Sequence, residues 1–163
     1  MKTNERARQI IKSCESLRLQ SYLCPAGQWT IGWGHTTGVK PGQTITEAQA
    51  EEFFRQDVEQ KERALDGLLS VRLNDNQYSA LVSLVFNIGQ GHFADSTLRK
   101  VINADPNDRE QIAYQWKRWN KSGGKVLPGL TIRRQMELDL YFTPDEPGGP
   151  GGTEGTTNSN KLK

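Results

Sequence analysis

The sequence predicts an α+β fold in which a small N-terminal β-hairpin lobe is joined by one long helix to a larger helical lobe. Three observations predict it. Over most of the chain, apolar residues recur at three- and four-residue spacing, the signature of helices with one buried face. One stretch, 21–35, breaks that spacing with Pro25, Gly27, Gly32 and Gly34 set among Tyr22, Trp29, Ile31 and Trp33, the composition of short strands and turns. The helical pattern then resumes and runs to Phe142, which segregates the helices from the β element.

The chain has 163 residues, the size of a single domain. Its last 21 residues, from Thr143, hold eight Gly or Pro and one large apolar residue, Leu162. Such a segment has too little to bury, so 143–163 is expected to be a flexible tail and 1–142 the folded domain. A body of that length buries roughly 68–70% of the surface its unfolded form exposes.

The elements follow in order. Ala7, Ile10, Ile11 and Cys14 place one apolar face on a helix from Asn4 to Cys14, and Leu17 extends the stripe. The hairpin turns at Pro25-Ala26-Gly27 and continues through turns at Gly38 and Pro41-Gly42 to Gln43. Thr46-Glu47-Ala48-Gln49 is a capping box, in which side chains satisfy free N–H groups of a first helical turn. It opens a helix over 47–69 with Ala50, Phe53, Phe54, Val58, Ala64, Leu65 and Leu68 in its stripe. Asp57 and Lys61 lie near that stripe, so its middle is expected to be exposed and to bridge two lobes.

A second cap, Asn74-Asp75-Asn76-Gln77, precedes Tyr78 to Ile88. That segment is apolar nearly all round, as a helix in the centre of a core must be, and Gly89 and Gly91 stop it. A short helix over Thr97 to Ile102 comes next. Asp105-Pro106 is expected to open another, with proline in the first turn, reaching Trp116 and Trp119. Ser122-Gly123-Gly124 breaks the chain before a last helix from Leu130 to Phe142.

Several functions are excluded. Charged residues make up 25% of the chain, and no apolar run approaches the ~18 residues that would suggest membrane insertion. The N-terminus carries charge throughout and lacks the apolar core of a secretory signal peptide, so synthesis and residence in the cytoplasm are expected. Two cysteines are too few for a disulfide framework and lack zinc-ligand spacing. Two histidines are too few for a metal site, and neither metal nor cofactor is expected. A net charge of +2 is too small to imply nucleic acid. Gly-x-Ser-x-Gly, phosphate-loop and His-Glu-x-x-His motifs are absent.

The residues that carry chemistry bunch around the hairpin: Glu15, Cys24, Thr30 and His35. A carboxyl group partly inside an apolar wall has its neutral form favoured and serves as a general acid. Glu15, at the end of the first helix's stripe, suits that position and equally suits a solvated helix end. Thr30 faces away from Trp29 and Ile31 by alternation, where its hydroxyl either holds a water or merely belongs to a good strand former. His35, closing the strand, suits a structural hydrogen bond more than catalysis. Cys14 is expected to be buried as a small hydrophobe, and Cys24, in a turn beside Pro25, to be exposed.

Taken with Glu15, the run Thr30-Ile31-Gly32-Trp33-Gly34-His35 resembles the active-site segment of phage-type lysozymes, the endolysins of glycoside hydrolase family 24. In that family a glutamate is followed nine residues later by an aspartate and six after that by a threonine, within Thr-x-Gly-x-Gly-His. Glu15, Cys24 and Thr30 occupy those places, and His35 completes the motif. The run from Ala80 to Gly89 resembles the family's buried central helix, and Ser96-Thr97-Leu98-Arg99 the short helix after it. Trp119-Asn120, Gly123-Gly124-Lys125, Gly129-Leu130 and Arg133-Arg134 resemble the closing segment of many phage members. The likeness covers about residues 5 to 142.

The resemblance implies a two-lobed lysozyme-like fold with an active site in the cleft between lobes. It implies a muramidase that cuts the β-1,4 bond between N-acetylmuramic acid and N-acetylglucosamine for host cell lysis. Glu15 would protonate the leaving oxygen. A water held by Thr30, with Cys24 as base or electrostatic partner, would attack the opposite face with inversion. Arg133 or Arg134 would orient Glu15 and Asn87 would bind substrate N-acetyl or hydroxyl groups, although surface or capping roles stay open for these three. The implied partner is the glycan strand of peptidoglycan, met by a monomer without nucleic acid after a holin-type lesion releases the enzyme from the host cytoplasm.

The departure is Cys24, where most of the family has aspartate. A free thiol with pKa ~8.5 is only a few per cent thiolate at neutral pH unless its surroundings lower that value. Two alternatives therefore stay open. A lytic transglycosylase would use Glu15 alone, and a non-catalytic peptidoglycan-binding relative would keep the cleft without turnover.

Overall fold

A computed structural model describes residues 1–145. Helix α1 (Glu5–Glu15) starts where the Asn4 side chain accepts from the Ala7 N–H, an N-cap. Its inward row is Ala7, Ile11 and then Glu15, one turn apart each time; the first two are fully buried. Cys14 lies beside that row and is exposed, which corrects the expectation of a buried thiol. Ser16, at φ 63° and ψ 147°, ends the helix. Leu17 consequently leaves the stripe and packs against the hairpin lobe instead.

Strands β1 (Arg18–Leu23) and β2 (Trp29–Gly32) pair antiparallel, with Tyr22 opposite Thr30 and Leu23 opposite Trp29. The following segment returns along β1, where Ser21 N–H donates to Gln43 O at 2.8 Å and Ile45 N–H to Leu19 O at 2.9 Å. Ile31, Ile45 and Ala50 form the small core of this lobe.

Helix α2 (Glu47–Leu68) opens on the predicted capping box and joins the lobes. Ala50 belongs to the small core, while Phe54, Val58 and Leu65 belong to the large one. Its middle is not exposed as expected: Phe54 and Val58 are buried, and Asp57 is taken up by a hydrogen bond from the hairpin lobe.

Helix α3 (Asp75–Ile88) is capped by Asn74 and Gln77, is buried from Asn76 through Val85, and ends at Gly89. Helices α1 and α2 pack against it, as does the last helix. Helix α4 (Gln90–Ala94) follows at once and includes Gly91, which had suggested a stop; the fully buried Phe93 anchors this turn. Helix α5 (Thr97–Ala104) is capped by Ser96. Helix α6 (Arg109–Lys117) begins later than expected, because Asp105 to Asp108 form a turn and Asp108 is the N-cap.

Strands β3 (Lys121–Ser122) and β4 (Lys125–Val126) make a second hairpin where only a break was expected. Gly123 and Gly124, at φ 58° and 81°, supply the left-handed pair that a two-residue hairpin turn requires. Helix α7 (Pro128–Tyr141), with proline in its first turn, completes the larger lobe. Among the described residues, no helix is long and apolar enough to cross a membrane.

Of the segment predicted to be a tail, Thr143, Pro144 and Asp145 are described and the remainder lies outside the described residues. Asp145 accepts from the N–H groups of Asp75 and Asn76 at 3.3 Å each, and Asn76 Nδ2 donates to Thr143 O at 2.9 Å. These three residues are thereby tied to the first turn of α3.

Candidate active site

The end of α1 and the loop after β2 meet at Glu15. Ile31 N–H donates to His35 O at 2.9 Å and His35 N–H to Ile31 O at 2.8 Å, so Gly32-Trp33-Gly34 is closed into a tight loop. Gly32 and Gly34 take positive φ there. A Cβ on Gly34 would stand 3.0 Å from Glu15 Oε1, so only the bare backbone passes against the carboxyl group. Glu15 Oε2 accepts from Arg133 Nη1 at 2.9 Å; the Glu15 side chain is 21% exposed and that of Arg133 3%. Helix α7 thus supplies a fixed donor to one oxygen, and the loop backbone approaches the other.

A second group lies within the hairpin. Thr30 is buried and its hydroxyl donates to Gln28 O at 3.1 Å. Cys24 is half-buried in the turn before β2. The backbone of Gln28, joined by that of Ala26 and Gly27, outweighs partial burial and holds the Cys24 thiol below its ordinary range. The turn that Pro25 and Gly27 signalled in the sequence is closed by Cys24 N–H donating to Gln28 O at 2.9 Å and Gly27 N–H to Cys24 O at 2.8 Å; a lowered thiol favours thiolate.

His35 faces α2 rather than Glu15. Its Nδ1 lies 2.8 Å from Asp57 Oδ2, and its ring stacks on Phe53 at 4.2 Å and 7°. It fixes the loop to the long helix.

Asn87 and Arg134 form a third group. Arg134 Nη1 donates to Asn87 Oδ1 and to Trp119 O, both at 3.0 Å. A guanidinium has only donors, so the Asn87 amide presents its oxygen to Arg134 and its NH₂ away from it. Asn87 is exposed and lines a pocket of about 440 Å³ with His92, Arg118, Trp119 and Lys121. Of the two arginines, then, Arg133 reaches Glu15 and Arg134 reaches Asn87.

Beneath both arginines lies Glu137, a residue that sequence reasoning did not single out. It is fully buried and accepts from Ser83 Oγ at 2.6 Å, Trp116 Nε1 at 3.0 Å, Arg133 Nε at 3.1 Å and Arg134 Nη2 at 3.0 Å. Burial opposes the charge of Arg133, but Glu137 and Glu15 outweigh it and hold its pKa above the ordinary arginine value. Burial draws Arg134 below that value despite Glu137. The available signal was spacing, because Glu137 stands three and four residues after the arginines on one helix.

The family model described as phage lysozyme matches residues 12–137. The chain belongs to the phage lysozyme family. It is 43% identical over 145 residues to an endolysin of Acyrthosiphon pisum secondary endosymbiont phage 1, covering 86% of this chain and 98% of that one. Against the endolysin of Bacillus phage B103 it is 40% identical but spans only 51% of that protein.

Two solved structures share the fold. The muramidase domain of SpmX from Asticaccaulis excentricus superposes with a TM-score of 0.79 at 33% identity, covering 88% of this chain and 99% of that one. The endolysin from Escherichia coli O157:H7 phage FAHEc1 gives 0.77 at 35% identity, covering 90% and 97%. The two-lobed α+β architecture and the enzyme class, a glycoside hydrolase of lysozyme type, are those of the phage lysozyme family. Its matched segment contains every candidate residue named above, from Glu15 to Arg134.

Proposed function

We propose that Glu15 is the acid of a phage endolysin that hydrolyses the β-1,4 bond between N-acetylmuramic acid and N-acetylglucosamine in peptidoglycan. The observation that carries this reading is the seat of the Glu15 carboxyl group. It is one-fifth exposed at the junction of the two lobes, with one oxygen held by Arg133 and the other beside the Gly34 backbone. A proton donor needs such an anchored, partly accessible position. Cys24, with its thiol held low, and the Thr30 hydroxyl are the groups for a water on the other side of the sugar, as an inverting route requires. Asn87, its amide NH₂ turned from Arg134, is a donor for substrate acetamido or hydroxyl oxygens in the neighbouring pocket. Arg133 orients the acid, and His35 supports the loop.

One chain supplies every group named, so a monomer suffices, and nucleic acid has no role. In this reading the enzyme is made in the host cytoplasm and meets the cell wall after release through a holin-type lesion. Expression in a host with and without an external membrane-permeabilising agent tests that step: lysis should require the agent.

The chemistry is tested by mass spectrometry of fragments released from purified peptidoglycan by wild type and Glu15→Gln. Wild type should give hydrolysed reducing ends, and Glu15→Gln should release nothing while keeping its fold. Products lighter by one water would assign a lytic transglycosylase using Glu15 alone. Undiminished release by Glu15→Gln would remove the acid assignment.

A further inference from the structure

A single guanidinium beside a carboxyl group stabilises the anion and so opposes proton donation. Arg133 is not left with Glu15 alone. Its Nε edge donates to Glu137 at 3.1 Å, its Nη2 to Ser83 O at 3.1 Å, and only Nη1 turns to Glu15, at 2.9 Å. Arg133 is 2% exposed and Glu137 0%, so the attraction between them is little screened.

We propose that Glu137 is a positioning residue for glycan cleavage, holding Arg133 in place and taking up its charge so that Glu15 meets an orienting donor rather than a bare cation. This rests on the reading of Glu15 as the acid. Ser83 from α3 and both arginines donate to Glu137 Oε2, and Trp116 from α6 donates to Oε1, so the carboxylate is held from two sides.

The charged or titratable groups around Arg133 are Glu15 and Cys14 from α1 and Arg134 and Glu137 from its own helix. The loop after β2 brings Gly34, α3 brings Ser83 and Asn87, and α6 brings Trp116, all uncharged.

The test is the pH profile of kcat and KM on purified peptidoglycan for wild type, Glu137→Gln, Ser83→Ala and Glu15→Gln. Without the Glu137 charge, Arg133 faces Glu15 as an uncompensated cation. The high-pH limb of kcat should move down by about one unit, which lowers kcat roughly tenfold on that limb with KM unchanged. Ser83→Ala keeps the charge but removes one donor from Glu137, which then draws Arg133 harder, so the same limb should move the other way.

Opposite movements are the expected result, because loss of stability alone scales the rate without moving the limb. A limb that stays in place in both variants, or moves the same way in both, overturns the proposal. If Glu137→Gln does not fold, Ser83→Ala decides: an upward shift supports the role of Glu137, and no shift or a downward one overturns it. Activity retained by Glu15→Gln would instead sink the underlying acid assignment, whereas an inactive Glu15→Gln with immobile limbs rejects the role of Glu137 alone.

Discussion

His35 Nδ1 and Asp57 Oδ2 lie 2.8 Å apart across the junction between the hairpin lobe and the long helix α2. Both side chains are largely withdrawn from solvent, and the imidazole stacks on Phe53. Their bond fixes the end of the loop that carries Gly34, the residue whose backbone passes against Glu15.

Asp57→Ala is expected to destabilise the protein by about 1.5–3 kcal/mol, the range for a hydrogen bond involving a charged group. Urea denaturation measures it. A loss within about 0.5 kcal/mol, the range of ordinary surface substitutions, would show that the pair contributes nothing to the lobe junction.

Gly34→Ala should cost about 1–2 kcal/mol for the left-handed backbone. It should also reduce kcat, by less than the ~100-fold that a ~1 Å misplacement costs, because the new Cβ at 3.0 Å from Glu15 Oε1 pushes on the acid. Steady-state kinetics beside a thermal melt separate the two effects. A destabilised variant with wild-type kcat would show that the carboxyl group relaxes away harmlessly.

Cys24 should react with iodoacetamide faster at neutral pH than an unstructured cysteine, since the Gln28 backbone and its neighbours favour the thiolate. Ionisation is favoured in the folded chain. The group therefore stabilises the native state once pH exceeds the thiol's unfolded range, and that contribution is lost as pH falls through the lowered folded range. In the rate profile, Cys24→Asp should stay active and extend activity downward, because a carboxylate ionises near pH ~4; Cys24→Ala should be slow. Equal rates for Cys24→Ala and wild type at every pH would make the thiol a bystander.

Two truncations separate the described from the undescribed part of the C-terminal segment. Removing 146–163 should leave the melting temperature and turnover unchanged, given its Gly and Pro content. Removing 143–163 also takes away the Asp145 carboxylate from the first turn of α3 and should cost about 1 kcal/mol, as losing a helix cap does. Identical melting curves would show that the contacts of Asp145 add nothing.

Legibility in the sequence followed the kind of signal. Capping at Thr46 and Gln49 or Asn74 and Gln77 is local chemistry, and both boxes form as predicted. The β3–β4 hairpin was not legible because its strands are two residues each and exposed on every position, leaving no alternation to detect. Helix α4 was masked by Gly91, whose turn is held by the tertiary burial of Phe93 rather than by propensity. Pro106 signalled a helix start correctly in kind but three residues early, because Asp108 is the residue that caps. At the site, motif spacing pointed to Glu15, Thr30 and His35. Glu137 stayed hidden because a glutamate suggests a surface; only partners such as Ser83, 54 positions away in sequence, make its burial possible.

The bond between Glu15 and Arg133 spans 118 positions of sequence, and α1 packs on α3 and α7. Glu15 therefore leaves the ribosome 118 residues ahead of Arg133. At ~5–20 residues per second, roughly 6–24 s separate the two during synthesis. Until the end of that interval the acid lacks its anchor and the α7 half of the surface against which its helix packs. A prematurely terminated or clipped chain lacking α7 therefore cannot assemble the site at all. Chain order thus withholds the Glu15–Arg133 pair from unfinished molecules.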